Sequence, residues 1–134
     1  MIYKIALLDD HRVVLESFAN LLATEPCFEV VCMAHDQQSL LDGLDYQPVD
    51  MLVTDLLMPT TNSTELIPVI KKRYPALRVL VLSGCDDLAL IRQVMQAGAD
   101  GFVTKTADKS ELFDAILAVA AGRRYMDKIG RAHV

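Results

Sequence analysis

Five short apolar runs, Ile5–Leu8, Glu29–Met33, Met51–Thr54, Val79–Leu82 and Gly101–Thr104, recur along the chain, each followed or preceded by a stretch with helical spacing. The runs are rich in Val, Ile and Leu and lack polar alternation, the pattern of strands covered on both faces. Between them Val14, Phe18, Leu21 and Leu22 share one helical face. So do Leu40, Leu41 and Leu44, then Ile67, Ile70 and Tyr74, then Ile91, Val94 and Met95, and finally Leu112, Phe113, Ile116, Leu117 and Ala120. Strand alternating with helix five times requires right-handed crossovers. It predicts an α/β fold with a five-stranded parallel sheet, doubly wound, with helices on both faces.

Punctuation agrees with this division. Pro26, Pro48 and Pro75 each stand just before a strand run, and Gly98 and Gly122 follow the fourth and fifth helical patterns. Pro68 lies inside the third helical pattern, where a proline removes a hydrogen bond and clashes one turn back. With Thr64 as N-cap the proline is nearly tolerable, so the third helix is predicted to start no earlier than Ser63–Glu65, with a frayed or tightened first turn. The pattern fades from Arg123 onward. One domain over residues 1–122 is expected, with 123–134 as a tail or linker.

The composition narrows the function classes. At 52% apolar and 23% charged, the 134 residues read as a soluble globular protein. No apolar run approaches the ~18–20 residues of a membrane span, and "MIYKIALLDDHR" is not a secretory signal. A net charge of −5 gives no basic surface for a nucleic-acid backbone. The basic residues Arg123, Arg124, Lys128 and Arg131 read as a solvated linker. Cys27, Cys32 and Cys85 are odd in number and lack C-x-x-C spacing, which points to a reducing, cytoplasmic compartment and away from a disulfide framework or structural zinc.

In an open parallel sheet, ligands bind at the carboxyl ends of the strands. There the first run ends in Asp9 and Asp10, the third in Asp55, the fourth in Ser83 and the fifth in Lys105, so five polar side chains face one rim. Crowded carboxylates repel unless a cation intervenes, and an all-oxygen donor set suits Mg2+. A lysine and a hydroxyl opposite leave room for a tetrahedral anion. The chemistry this supports is phosphoryl transfer onto a carboxylate, with Asp55 as nucleophile and Lys105 clamping a phosphoryl oxygen. Each position taken alone has a plainer reading: a lone acid after a strand is a helix cap or loop residue, Lys105 a surface lysine, Ser83 a turn residue.

"LLDDH" at Leu7–His11, "TDLLMP" at Thr54–Pro59, "VLSG" at Val81–Gly84 and "AGADGFVTK" at Ala97–Lys105 stand in an order and spacing that resemble the receiver domain of bacterial two-component response regulators. "DDHRVV" and "ELFDAILAVAAGRRYM" are most similar to the receivers of LuxR-type transcription factors. The resemblance implies a flavodoxin-like (CheY-like) sheet of order 2-1-3-4-5. It implies Asp55 as phosphoacceptor, Mg2+ held by Asp10, Asp55 and the Leu57 carbonyl with Asp9 assisting indirectly, and Lys105 on the phosphoryl group. Ser83 and Phe102 would form a switch pair, the hydroxyl moving onto the phosphoryl oxygen and the ring turning inward, while Gly84 keeps the entrance small. A sensor histidine kinase as donor is implied too, as is a possible homodimer through the fourth helix, fifth strand and fifth helix. A DNA-binding domain would follow in a longer parent protein. None lies in these residues, so no nucleic-acid binding is assigned to this segment, and no membrane contact.

The chain departs from the family after Pro59, where Thr60-Thr61-Asn62-Ser63 replaces an acid or Asn followed by Gly; Asn62 is the residue that tolerates positive φ. Thr106 stands where many receivers have proline, leaving the geometry of the preceding peptide bond open. Leu57 and Cys85, an apolar pair flanking the site, suggest slow self-dephosphorylation. His11 reads as a first-turn helix residue. The alternative from another class is a receiver-like interaction module that works without phosphorylation. An aspartyl-phosphate hydrolase would want an acid at Leu57, and a nucleotide- or flavin-binding domain would want a Gly-rich loop where Asp9-Asp10-His11 stands.

Overall fold

The computed structural model describes residues 1–59, 61–84 and 88–126. Thr60, Cys85, Lys128 and Arg131, with the readings attached to them, lie outside the described residues. The elements are β1 (Tyr3–Leu8), α1 (Arg12–Leu22), β2 (Phe28–Ala34), α2 (Gln37–Tyr46), β3 (Met51–Asp55), β4 (Leu57–Met58), β5 (Thr61–Asn62), α3 (Ser63–Arg73), β6 (Arg78–Ser83), α4 (Leu88–Ala97), β7 (Gly101–Thr104), α5 (Lys109–Ala120) and β8 (Tyr125–Met126). The main sheet runs β2-β1-β3-β6-β7-β8, every pairing parallel.

The first five of these strands are the five apolar runs in the expected order. The sheet, however, is six-stranded: Tyr125–Met126, expected to be tail, pairs with β7. Arg124, read as solvated, donates from Nη2 to the Met95 and Ala99 carbonyls.

Both faces of the sheet are covered. In β1, Ile5 and Leu7 pack with Leu15 and Leu22 of α1 and Leu112, Ile116 and Val119 of α5. Ala6 and Leu8 face the other way, toward Leu40, Ile67, Ile70, Ile91 and Val94 of α2, α3 and α4. Burial on both faces is why β1, β3, β6 and β7 show no polar alternation, whereas β2 at the sheet's edge is only partly buried. The stripe of α1 centres on Leu15 rather than Val14, and Leu117 of α5 is partly exposed.

Local signals fix the helix ends. Asp36 caps α2, its carboxylate accepting from Ser39 N at 2.8 Å, and Asp108 caps α5 by accepting from Glu111 N at 2.8 Å. α4 ends in Gly98 at φ +120°, with Gly98 N donating to Met95 O and Ala99 N to Val94 O.

α3 begins at Ser63, as expected, but its N-cap is Asn62 and not Thr64: Asn62 Oδ1 accepts from Thr64 N at 3.0 Å. Asn62 has φ −97°, so it does not supply the positive φ of the family's glycine. Pro68 therefore sits in the second turn, inside the helix, on its exposed face, where the carbonyl freed one turn back can meet water. No peptide bond among the described residues is cis, which gives the Lys105–Thr106 bond the trans form. No described helix is long and apolar enough to cross a membrane.

Candidate functional site

At the carboxyl edge of the sheet, Asp9 follows β1 and Asp55 ends β3, both buried at 5% exposure. Two charges in so dry a position need a partner, and Lys105, one residue beyond β7, supplies it. Its Nζ donates to Asp55 Oδ2 at 2.9 Å and lies 3.8 Å from Asp9 Oδ2. The lysine is positioned through its backbone, Lys105 N donating to Ser83 O at 2.8 Å, so β6 and β7 together place it. Ser83 is fully buried at the end of β6, and a Cβ added to Gly84 would lie 3.7 Å from the Lys105 Cδ atom. A Cβ there would thus meet the lysine stem only at ordinary van der Waals distance.

Asp10 and His11 complete the rim. His11 N donates to Asp9 Oδ1 at 2.9 Å, which fixes that carboxylate at the start of α1. The His11 ring is folded back over the acids, with Nδ1 3.2 Å from Asp9 Oδ1 and 3.0 Å from Asp10 Oδ1. His11 is thus the N-cap residue of α1, without a side-chain cap bond, and its imidazole belongs to the acidic cluster. Sequence spacing gave no sign of that.

The loop after Asp55 is held by three contacts. Leu57 N donates to Asp55 Oδ1 at 3.3 Å, orienting the carboxylate. The β4–β5 ladder pairs Leu57 with Asn62 and Met58 with Thr61. The buried Ser63 hydroxyl donates to the Leu56 carbonyl at 3.2 Å and approaches the Asp55 carbonyl at 3.4 Å. Ser63 is a positioning residue that sequence reasoning missed. Its signal was the missing glycine: Asn62, at φ −97°, caps α3 and Ser63 ties the loop to Leu56, so neither residue supplies the positive φ of a glycine.

The structure therefore joins Asp9, Asp55 and Lys105 directly, ties Ser83 to Lys105 through the backbone, and groups Asp10 with Asp9 through His11. Phe102 is one residue-pair removed, opposite Val81 in the β6–β7 register, and its ring is fully buried on the α4 side. A cleft of about 590 Å³ beside the ladder, lined by Gln37, Met58, Pro59, Glu65 and Leu90 among others, includes none of Asp9, Asp10, Asp55 and Lys105.

The donor set fits a hard cation. Asp10 Oδ1 is buried and accepts no hydrogen bond, the nearby imidazole nitrogen not being aligned for one. A carboxylate oxygen in that condition beside two further acids is the environment Mg2+ prefers.

A family model for the response regulator receiver domain matches residues 5–117, and the chain belongs to that family. It is 34% identical over 123 residues to the transcriptional regulatory protein DegU of Brevibacillus brevis, covering 92% of this chain and 52% of that protein. It is 36% identical over 122 residues to the transcriptional regulatory protein UhpA of Salmonella typhimurium, covering 91% and 61% respectively. The chain thus spans roughly half to three-fifths of the length of these relatives. Among solved structures it resembles a LuxR-family two-component response regulator from Aurantimonas sp. SI85-9A1, with TM-score 0.91, 32% identity, and 98% and 94% of the two chains covered. It also resembles the isolated receiver domain of RcsB from Salmonella enterica serovar Typhimurium in the presence of the phosphomimetic BeF3−, with TM-score 0.89, 25% identity and 98% of each chain covered.

Proposed function

We propose that this receiver accepts a phosphoryl group on Asp55 in a Mg2+-dependent reaction, with a sensor histidine kinase as donor. The single observation that supports this most is the Lys105 ammonium 2.9 Å from Asp55 Oδ2, beside a second buried acid and an Asp10 oxygen that accepts no hydrogen bond.

Leu57 N and Lys105 Nζ hold the Asp55 carboxylate between them, so one oxygen is presented to an incoming phosphorus. As the bond from Asp55 to phosphorus forms and the donor's bond breaks, Lys105 transfers its hydrogen bond to a phosphoryl oxygen, and the Ser83 hydroxyl takes another. Bound at Asp10, Asp55 and the Leu57 carbonyl, with Asp9 assisting, Mg2+ would offset the charge that gathers on the equatorial oxygens. Leu57, about half exposed beside the acceptor, limits the approach of water to the acyl phosphate.

Phe102 is already inside the core, so formation of the acyl phosphate does not depend on entry of the ring. The change falls on Ser83 and on the chain leading from it into α4. In the longer protein that the relatives suggest, this change controls a DNA-binding domain, and transcription, through the face formed by α4, β7 and α5, which also serves a homodimer.

Intact-protein mass after incubation with acetyl phosphate tests the proposal. One added phosphoryl group that requires both Mg2+ and Asp55, and is absent in Asp55→Ala, is the expected result. No addition in folded wild type with Mg2+ present, from acetyl phosphate or from a phosphorylated histidine kinase, would overturn it.

A further inference from the structure

Asp9 divides the acidic rim. Its Oδ2 atom lies 3.8 Å from Lys105 Nζ, toward the phosphoacceptor, while its Oδ1 atom accepts from His11 N at 2.9 Å. On that second side stand Asp10 Oδ1 and the His11 ring, with Nδ1 3.0 Å from Asp10 Oδ1 and 3.2 Å from Asp9 Oδ1. Each of the three residues brings one donor atom to within 4.8 Å of the others. Mg2+ prefers oxygen to imidazole, so the ring is a donor that the all-oxygen site proposed above does not use.

The two approaches of the ring differ in kind. Toward Asp9 Oδ1 it makes a hydrogen bond. Toward Asp10 Oδ1 it comes closer, yet that oxygen is buried and accepts no hydrogen bond. In a right-angled coordination shell with bonds of about 2.0–2.1 Å, neighbouring donor atoms lie about 3.0 Å apart, each about 45° off the other's lone-pair axis. Such atoms are close together without being hydrogen-bonded, which is the condition of His11 Nδ1 and Asp10 Oδ1. The His11 side chain is 67% exposed, so it can swing aside to admit an ion without disturbing the core.

One imidazole with two carboxylates is a donor set for a borderline first-row cation such as Zn2+ rather than for Mg2+, which dehydrates reluctantly. Charge limits how many ions the rim can hold. The carboxylates of Asp9, Asp10 and Asp55 against the Lys105 ammonium leave two negative charges, which one dication offsets. A second dication would also have to share Asp10.

Taking the Mg2+ site from the function proposed above, we infer that His11 sets the metal selectivity of the rim: with Asp9 and Asp10 it forms a nitrogen-containing site for a borderline dication of the Zn2+ class, and an ion held there excludes Mg2+ and with it phosphorylation of Asp55.

Titration of the 134-residue chain with Zn2+ and with Mg2+ tests the site, read by equilibrium dialysis and by long-range 1H–15N spectra of the imidazoles. Zn2+ should shift the His11 ring nitrogens. His11→Ala keeps the backbone donor to Asp9, and amide spectra of the same samples report its fold. The ratio of Zn2+ to Mg2+ affinity should fall at least about tenfold in this variant, since loss of even an outer-shell partner of a metal costs about 10–100-fold. Mg2+ should raise the apparent Zn2+ dissociation constant of the wild type in proportion to its concentration. An unchanged affinity ratio in His11→Ala, or an unmoved His11 ring at saturating Zn2+, would overturn the site. Both ions bound together without mutual weakening would overturn the exclusion. Failure of Mg2+ to bind either protein, with Zn2+ bound through His11, would remove the proposed function and leave the Zn2+ site standing.

Discussion

Replacing Phe102 by alanine tests whether its ring is a core residue in the unmodified protein. The ring is fully buried, in a cluster with Leu56, Met58, Val81 and Ile91. A phenylalanine buries about 150–250 Å². At about 25 cal/mol per Å² that corresponds to about 4–6 kcal/mol, an upper bound because the unfolded chain already hides some of this surface. Measured Phe→Ala deletions in cores cost about 3–5 kcal/mol once the cavity is counted. Against a total stability of about 5–15 kcal/mol, Phe102→Ala should fold marginally. Leu57→Ala, at a half-exposed position beside the same site, should cost about 1 kcal/mol or less. The chain has no tryptophan, so urea unfolding is best followed by far-UV circular dichroism. The two variants should share the wild-type m-value and differ in midpoint. A cost below about 1.5 kcal/mol for Phe102→Ala would mean that the ring does not occupy the core, and the account of Ser83 and α4 carrying the change would fail with it.

Three smaller predictions concern the framework. The Ser39 hydrogen bonds hold the Asp36 carboxyl below its ordinary value of 3.8, so its cap stabilises the fold above that pH and the contribution is lost as pH falls through the depressed value. The stability difference between wild type and Asp36→Ala should therefore be present at neutral pH and vanish in acid; a difference independent of pH would contradict the cap. Burial pushes the Cys32 thiol above its ordinary 9.0, so alkylation at pH 8 should be slower than that of a free thiol and rise only as pH passes 9. Gly43 lies in α2 with Cys32 Sγ 2.4 Å from where a Cβ would be. Gly43→Ala should give up to about 1 kcal/mol of helix stabilisation in a Cys32→Ala background and less in the wild type, and equal gains in thermal unfolding would refute the contact.

Much of this was legible in the sequence for a physical reason. Strands covered on both faces write themselves as apolar runs, and five runs with helical spacers leave few topologies. The rim residues were legible because strand ends are fixed once strands are. What could not be read depends on contacts between distant segments. β8 is two residues long, and Tyr125–Met126 becomes a strand only because Gly101 admits it. Whether Val14 or Leu15 leads the α1 stripe turns on a rotation of one residue, which spacing alone leaves open. The Thr61–Ser63 loop looked anomalous because positive φ was assumed there, whereas the chain closes the β4–β5 ladder and caps α3 with Asn62 instead. His11 matched a helix start in sequence, and only the folded rim shows its ring on Asp9 and Asp10.

The central claim is that Asp55, and no other acid of the cluster, carries the phosphoryl group. Borohydride reduces an acyl phosphate to the corresponding alcohol, so treating the phosphorylated protein and sequencing its peptides by mass spectrometry locates the modified residue. Homoserine at position 55 alone, dependent on Mg2+ and lost in Lys105→Ala, is the result this account predicts. Homoserine at position 9 or 10, or a phosphoryl group that resists borohydride on Ser83, would contradict it.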